Sequence, residues 1–325
     1  MKIFLPYKNQ DIGGTSTFAN IFSSELKKRG FEIVSNPKKN YDILFVLSDC
    51  SLKYALDAKL KHKRIIQRLD GVYNFAANGW IYPILNIKMR IIHNLLADYI
   101  IYQSEFSKLS CEKFLGKTSA KTSIIYNGVY ISKIKSNKNI TRSNKIKLLT
   151  FAKFRRQDQI VPLIESVKLL DSRKFSLDIY GSYDNKFQHI FSSLPHNIKM
   201  KGKRNNEKIL KIINEYDIFI FSDQSACPNS VLEAMAGGLT VVAYGRGSIE
   251  ELVKSSYNGE VVKMSNGNQF SDPYPFSKMD YINFKKSVIK ASSNLEKYKE
   301  KSLERVLNYF SINTTIEKYI KILKK

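Results

Sequence analysis

Short apolar runs alternate with helix-length amphipathic stretches, and the pattern is played twice along this chain. In the first half, residues 2–5, 31–34, 42–47, 64–67, 99–102 and 123–126 read as buried strands. After a Gly13-Gly14 turn, Phe18, Ile21, Phe22 and Leu26 recur at helical spacing. Lys27-Lys28-Arg29 and then Gly30 close that helix, the cations suiting the C-terminal dipole and the glycine the left-handed stop. A lysine- and asparagine-rich stretch at 132–147 reads as a linker. The alternation then restarts with strands at 148–151, 175–179, 197–200, 217–221 and 240–243. Strand, helix, strand with short connections specifies an α/β chain with doubly wound parallel sheets. The 325 residues accommodate two such domains. The expected boundaries are 1–143, 144–300 and a C-terminal helical piece, 301–325, that crosses back to the first domain. Val306, Tyr309, Ile316, Tyr319, Ile320 and Leu323 give that piece an apolar face that must pack on something.

Composition removes several classes. With 43% hydrophobic and 25% charged residues the chain is not a disordered tail. Its apolar runs fall far short of the ~20 residues needed to cross a bilayer, and its N-terminus reads as a first strand rather than a signal peptide. Three scattered cysteines, Cys50, Cys111 and Cys227, support neither a disulfide framework nor a metal knuckle, which fits a reducing, cytoplasmic setting. The net charge of +24 suits an anionic partner, and solvated lysine-rich faces account for it equally well.

In doubly wound sheets ligands bind beyond the carboxyl ends of strands, and the densest signal lies there, at residues 222–253. A strand runs into a polar loop, Pro228 stands as the first residue of a short helix, and Gly237-Gly238 ends it. Backbone N–H groups at such a helix start seat a phosphate. Glu233, about one and a half turns on, places a carboxylate where it can accept from paired hydroxyls such as those of a ribose. After the next strand, Gly245-Arg246-Gly247-Ser248 forms a second, flexible loop, and Glu250-Glu251 opens another helix.

PNSVLEAMAGGLTVVA followed by GSIEEL resembles the signature region of retaining glycosyltransferases of family 4, which have the GT-B fold. GGTSTFANIFSSELKKRGFEI resembles that family's first glycine-rich loop and helix. ADYIIYQSEFSK and SIIYNGV resemble the end of its N-terminal domain, and IKMKGKRNNEKILKIINEYDIFIFSD the approach to its donor site. RLDGVY is similar to a variant found in a subset of these enzymes. The resemblance spans residues 1–260. It implies two Rossmann-like domains facing a cleft, a nucleotide-diphosphate sugar as co-substrate and a glycan or lipid-linked acceptor.

The resemblance also implies roles. The family usually shows two glutamates eight positions apart. Glu233 matches the second, which binds the donor ribose, and Ser225 stands where the first would contact the transferred sugar. The basic side chains that hold the diphosphate fall in the stretch 151–158, where Lys153, Arg155 and Arg156 supply the charge, although the usual lysine position is nearest Asp158 or Gln159. Pro228, Asn229 and Ser230 open the phosphate-binding helix. Gly13 and Gly14 let the opposite domain's backbone approach the diphosphate, or are plain turn glycines. Lys203 and Arg204, after Gly202, fall at the nucleobase pocket. Arg68 and Asp70 follow a strand; Asp70 either orients the acceptor hydroxyl or donor sugar, or caps a turn with Gly71.

No Asp-x-Asp motif occurs, so no cofactor or bridging metal is implied, and the cations take its place. The expected reaction is sugar transfer with retained anomeric configuration, in the assembly of surface polysaccharide. Other GT-B enzymes, such as a sugar-nucleotide epimerase or a polysaccharide phosphorylase, share the architecture. A Rossmann oxidoreductase would need GxGxxG after a strand, and no nucleic-acid-binding pattern accompanies the basic charge. Lys88 and Arg90, interleaved with Ile84, Leu85, Ile87, Met89, Ile91 and Ile92, read either as a face that lies on anionic lipids at the inner side of a membrane or as a buried core helix.

Overall fold

The computed structural model describes residues 1–7, 14–131, 145–265 and 275–325, without the side chains of Ala76 and Ala77. The chain forms two compact units: Met1–Asn127 with Ile312–Lys325, and Gly128–Ser311. Each holds one six-stranded, all-parallel sheet.

In the first unit the strands are β1 (Lys2–Phe4), β2 (Glu32–Val34), β3 (Ile43–Leu47), β4 (Arg64–Leu69), β5 (Tyr99–Tyr102) and β6 (Lys121–Ile124), in the order β2-β1-β3-β4-β5-β6. All five residues of β3 are buried, as expected of a central strand covered on both faces. The first helix, Gly14–Lys28, begins at Gly14 itself, so this residue is helical rather than part of a turn, and Gly13 lies outside the described residues. Gly30 takes the left-handed conformation (φ +82°) expected after that helix. β6 sits two residues earlier than the sequence suggests. It is a polar, partly exposed edge strand, and the apolar Ile125 that drew the expectation onward is buried just past its end.

The 301–325 segment is not one continuous apolar face. The helix Leu295–Arg305 passes into a π turn at Val306–Phe310, and Ser311 is extended (φ −68°, ψ 148°) before the last helix, Ile312–Leu323. Val306 is buried in the second unit and Tyr309 is 53% exposed. Ile316, Tyr319 and Leu323 are buried in the first unit. Tyr319 packs its ring against Phe22 and Phe45, with centroids 5.2 and 6.1 Å away. Arg64 donates to the carbonyls of Ile322 and Leu323 at the end of the same helix.

The run at 84–92 serves two purposes. Met89 and Ile92 are core residues, while Ile84, Leu85 and Ile87 are exposed. Among the described residues no helix is long and apolar enough to cross a membrane.

The second unit comprises β7 (Ile146–Phe154), β8 (Phe175–Tyr183), β9 (Ile198–Met200), β10 (Ile218–Phe221), β11 (Thr240–Tyr244) and β12 (Gly259–Val262), in the order β12-β11-β10-β7-β8-β9. Residues 132–144 of the expected linker lie outside the described residues, and its last two residues, Ile146 and Lys147, already belong to β7. β12 was not expected from the sequence. Its opening glycine lies so close to β11 that a Cβ there would meet the Val241 carbonyl oxygen at 2.2 Å. The core beneath helices Val161–Lys168 and Lys278–Ser292 is built from Leu148, Leu163, Ile164, Leu177, Ile220, Val242 and Phe284.

Candidate functional site

The carboxyl ends of β7, β9 and β10, with the loops and the helix Asn229–Ala236 that follow them, carry most of the residues singled out above, all in the second unit. β7 ends at Phe154, and the chain turns at once. The Gln159 side-chain oxygen accepts from the backbone N–H of both Arg155 (2.7 Å) and Arg156 (3.1 Å), which fixes the turn. Lys153 and Arg155 are exposed. Arg156 is half-buried and paired: its Nε and Nη2 donate to Asp158 (2.9 and 3.1 Å) and Nη2 also to Asp223 (3.0 Å).

Asp158 is shared. Arg246, only 2% exposed, donates from Nη1 to Asp158 Oδ2 (2.9 Å) and to the Ser222 carbonyl (3.1 Å). Burial pulls the Asp158 carboxyl upward, but the hydrogen bonds and charges of Arg156 and Arg246 outweigh it and hold the group below its usual range. Ser222 Oγ donates back to the carbonyls of Asp158 and Gln159 (3.1 and 2.8 Å). The β7 and β10 loops are thus tied together, and Asp158, one of the two residues nearest the lysine position that the resemblance implies, organises two arginines. Arg246 comes from the segment expected to be a flexible loop. That segment is packed instead: Arg246 and Ser248 are buried, and Gly247 (φ +61°) lies against Ser225 so tightly that a Cβ would meet the Ser225 oxygen at 2.4 Å. The Ser248 N–H donates to the same oxygen (3.0 Å). Ser225 is thereby fixed by its backbone, with its side chain half-buried.

The short helix runs Asn229–Ala236. Pro228 is its N-cap, not its first helical residue. Its ψ of 115° is extended, and its carbonyl already accepts from the N–H of Val231 and Leu232. Asn229 and Ser230, both half-buried, occupy the first turn, where backbone N–H groups point along the helix axis away from the ladder. Val231, Leu232, Ala234 and Met235 bury the inner face, leaving Glu233 half-buried on the outer one. At the far end Gly237 is pressed against Ile213, where an added Cβ would come within 2.7 Å of Cγ2.

Asn206 Nδ2 donates to Glu233 Oε1 at 2.8 Å. Burial raises the Glu233 carboxyl from 4.5 to about 7, against the opposing pull of the Asn206 hydrogen bond. Asn206 opens the helix Asn206–Ile212 directly after Lys203, Arg204 and the cap Asn205, whose side chain accepts from the Lys208 N–H. Lys203 and Arg204 are exposed, and the Arg204 guanidinium lies 5.0 Å from the centre of the Tyr180 ring. The loop after β9 and the carboxylate of the Asn229–Ala236 helix therefore form one cluster. Asn206 and Arg246 were not picked out as site residues from the sequence. The signals were a doubled asparagine before a helical run and an arginine set between glycines.

Gly14 and Asp70 belong to the first unit. Arg68 is the fifth residue of β4 rather than a residue following it, and is 1% exposed. It pairs with Asp70, donates from Nε to Tyr319 Oη (2.9 Å) and from Nη2 to Asn127 Oδ1 (2.7 Å), and lies over the Phe18 ring. Asp70 also accepts from Gln103 Nε2 (2.8 Å). Its carboxylate is thus held by two side chains at the carboxyl end of the sheet.

Among the described residues no group of three or more His, Cys, Asp or Glu side chains could hold a metal ion.

Residues 145–273 match the family described as glycosyl transferases group 1. An uncharacterized glycosyltransferase of Methanocaldococcus jannaschii, MJ1069, is 26% identical over 246 residues; the match covers 70% of this chain and 59% of that protein. Two solved structures share the whole architecture. Alr3699/HepE of Anabaena, in complex with UDP and glucose, superposes with a TM-score of 0.75 at 14% identity, covering 99% of both chains. The sucrose-phosphate synthase tll1590 of Thermosynechococcus elongatus gives 0.78 at 12% identity, covering 99% of this chain and 98% of that one. The cluster just described falls inside the segment that matches the group 1 glycosyltransferases, and the chain has the GT-B fold.

Proposed function

We propose that the protein is a retaining glycosyltransferase that moves a sugar from a nucleotide-diphosphate sugar to a hydroxyl of a glycan or lipid-linked acceptor, in surface polysaccharide assembly at the cytoplasmic side of a membrane. The observation that carries this reading is the Glu233 carboxylate, steadied by Asn206, on a short helix that follows the loop whose Asp223 pairs with Arg156. The relation to proteins that bind UDP and UDP-glucose supports a nucleotide-sugar donor.

Glu233 accepts from the paired ribose hydroxyls, and Lys203 and Arg204 border the base. The diphosphate takes the N–H groups of Asn229 and Ser230, together with the exposed cations Lys153 and Arg155. Arg156 is already matched by Asp158 and Asp223, so its part is to shape the loop and to add a donor where the phosphate displaces Asp223. The bond from the anomeric carbon to the leaving phosphate oxygen breaks while the acceptor oxygen bonds to the same face. The acceptor proton passes to the departing phosphate oxygen, and Asp70 orients the acceptor hydroxyl. Charge developing on the diphosphate is what the preorganised N–H groups and guanidinium stabilise. With no Asp-x-Asp motif in the chain, these groups stand where a bridging metal would otherwise act.

Titration of the protein with uridine, guanosine and adenosine diphosphates tests the reading. One of them is expected to bind and to compete with its own sugar conjugate, and transfer or slow hydrolysis should follow with that conjugate alone. Absence of binding by all three, with salt-sensitive binding to random oligonucleotides, would overturn it in favour of a basic nucleic-acid-binding protein.

A further inference from the structure

Between β4 and β5 the chain runs from Asp70 to Asp98, and the segment between these two aspartates, 71–97, includes no aspartate or glutamate. Its outer surface is unusually apolar. Trp80 is 85% exposed, Ile84 68%, Ile81 57%, Ile87 49% and Phe75 47%. The Phe75 and Trp80 rings meet edge to face with centroids 4.8 Å apart, so the two aromatics form one surface feature. Successive short turns, Phe75–Asn78, Gly79–Ile81, Tyr82–Leu85 and Ile87–Ile91, present these side chains in sequence.

The segment is anchored from beneath. Asn86 is 2% exposed and clamps the backbone of Tyr73, accepting from its N–H (3.1 Å) and donating to its carbonyl (2.9 Å). Met89 and Ile92 are buried in the core of the first unit. The exposed apolar side chains are therefore a fixed face of a folded segment. Exposed apolar patches of this kind on a soluble fold mark interaction surfaces. Lys88 and Arg90 follow the patch on the same segment and are exposed.

We propose that this face is an interfacial wedge that seats on an anionic lipid surface, with Trp80, Ile81 and Ile84 entering the headgroup–acyl boundary and Lys88 and Arg90 meeting the headgroup charge. A tryptophan with flanking isoleucines favours the region where an apolar ring and a polar N–H are both satisfied. The segment itself adds no acidic side chain to repel an anionic surface, and the acid that lies near Lys88 is Asp49, from the loop after β3. The inference deepens the membrane-side placement proposed above by assigning the surface that makes the contact.

Trp80 is the chain's single tryptophan, so it reports on its own surroundings. The full-length protein is mixed with neutral vesicles and with vesicles containing about one-third anionic lipid, at about 50 mM and about 500 mM salt. Expected with the anionic vesicles at low salt are co-sedimentation, a blue shift of the emission, and quenching by brominated acyl chains. The double variant Ile81→Glu/Ile84→Glu keeps the reporter and changes only exposed side chains, so its melting temperature should match the parent. Its vesicle affinity should fall by roughly tenfold or more, and Lys88→Glu should weaken binding at low salt. Three results would overturn the proposal: no blue shift with any vesicle, unchanged vesicle affinity in the double variant, or a blue shift without vesicles that grows with protein concentration, which would assign the face to a second copy. Nucleotide binding is measured on the same samples without vesicles, so failure of the donor-site reading is seen separately.

Discussion

Glu233→Gln is expected to do two opposite things, to stabilise the protein and to disable it. The carboxyl is lifted from 4.5 to about 7 by burial, with only the Asn206 hydrogen bond opposing. A carboxyl that binds its proton more tightly in the folded chain makes folding less favourable as pH climbs from 4.5 to about 7, and the full penalty stands above that. At about 1.4 kcal/mol per unit the ceiling is roughly 3 kcal/mol, and the partial exposure of Glu233 brings it nearer 1–2 kcal/mol. The charged groups of the elements around its helix are engaged elsewhere or face solvent. Arg305 donates to the carbonyls of Glu251 and Leu252, Glu304 pairs with Lys301 and Tyr257, and Glu207, Lys208 and Lys211 are exposed or half-buried on the neighbouring helix. Glutamine fills the same space, still accepts from Asn206 and never ionises. Thermal unfolding of variant and parent should coincide near pH 4.5 and separate as pH rises, reaching roughly 2–6 °C in favour of the variant by about pH 8. Over the same range the affinity for the nucleoside diphosphate should drop by about tenfold or more, because charge-assisted bonds to paired hydroxyls are lost. A melting difference that is absent at pH 8, or equal at all pH values, would refute the reasoning.

Two further substitutions probe the packed loops. Asp158→Asn leaves the buried Arg246 without its counter-charge and should cost about 3–5 kcal/mol in urea unfolding. Because the Asp158 carboxyl is held below its usual range, its stabilising effect is present above the ordinary carboxylate pKa and fades as acid brings pH down through the lowered value, so parent and variant should converge there. Gly247→Ala forces a Cβ into the Ser225 backbone at a left-handed φ and should both destabilise and weaken nucleotide binding. Gly202→Ala, left-handed (φ +76°) but with nothing within 4 Å, should cost only the backbone strain of about 1 kcal/mol.

The alternation of strands and helices was legible because parallel strands covered on both faces must be continuously apolar, as β3, β10 and β11 are. Where that condition lapses the reading slips. β6 is a polar edge strand, and β12 opens with a glycine required by its close approach to β11. At the candidate site the helix of Glu233 was readable from its proline and paired glycines. The Asp158–Arg246 pair was not, since the two lie 88 positions apart and only tertiary contact defines them. Nor could spacing say that the exposed and the buried residues of 84–92 would be sorted between solvent and core within a single turn.

The first unit is assembled from two segments far apart in the chain, with Tyr319 and the carbonyls of Ile322 and Leu323 completing contacts begun by Phe22, Phe45, Arg64 and Arg68. During synthesis the segment Met1–Asn127 must wait, its buried guanidinium and aromatic ring cluster incomplete, until the ribosome delivers the closing helix. The middle of the chain can fold meanwhile. A chain broken off before Ile312 would consequently injure the unit whose strands precede Asn127, rather than the one that lies nearer the break.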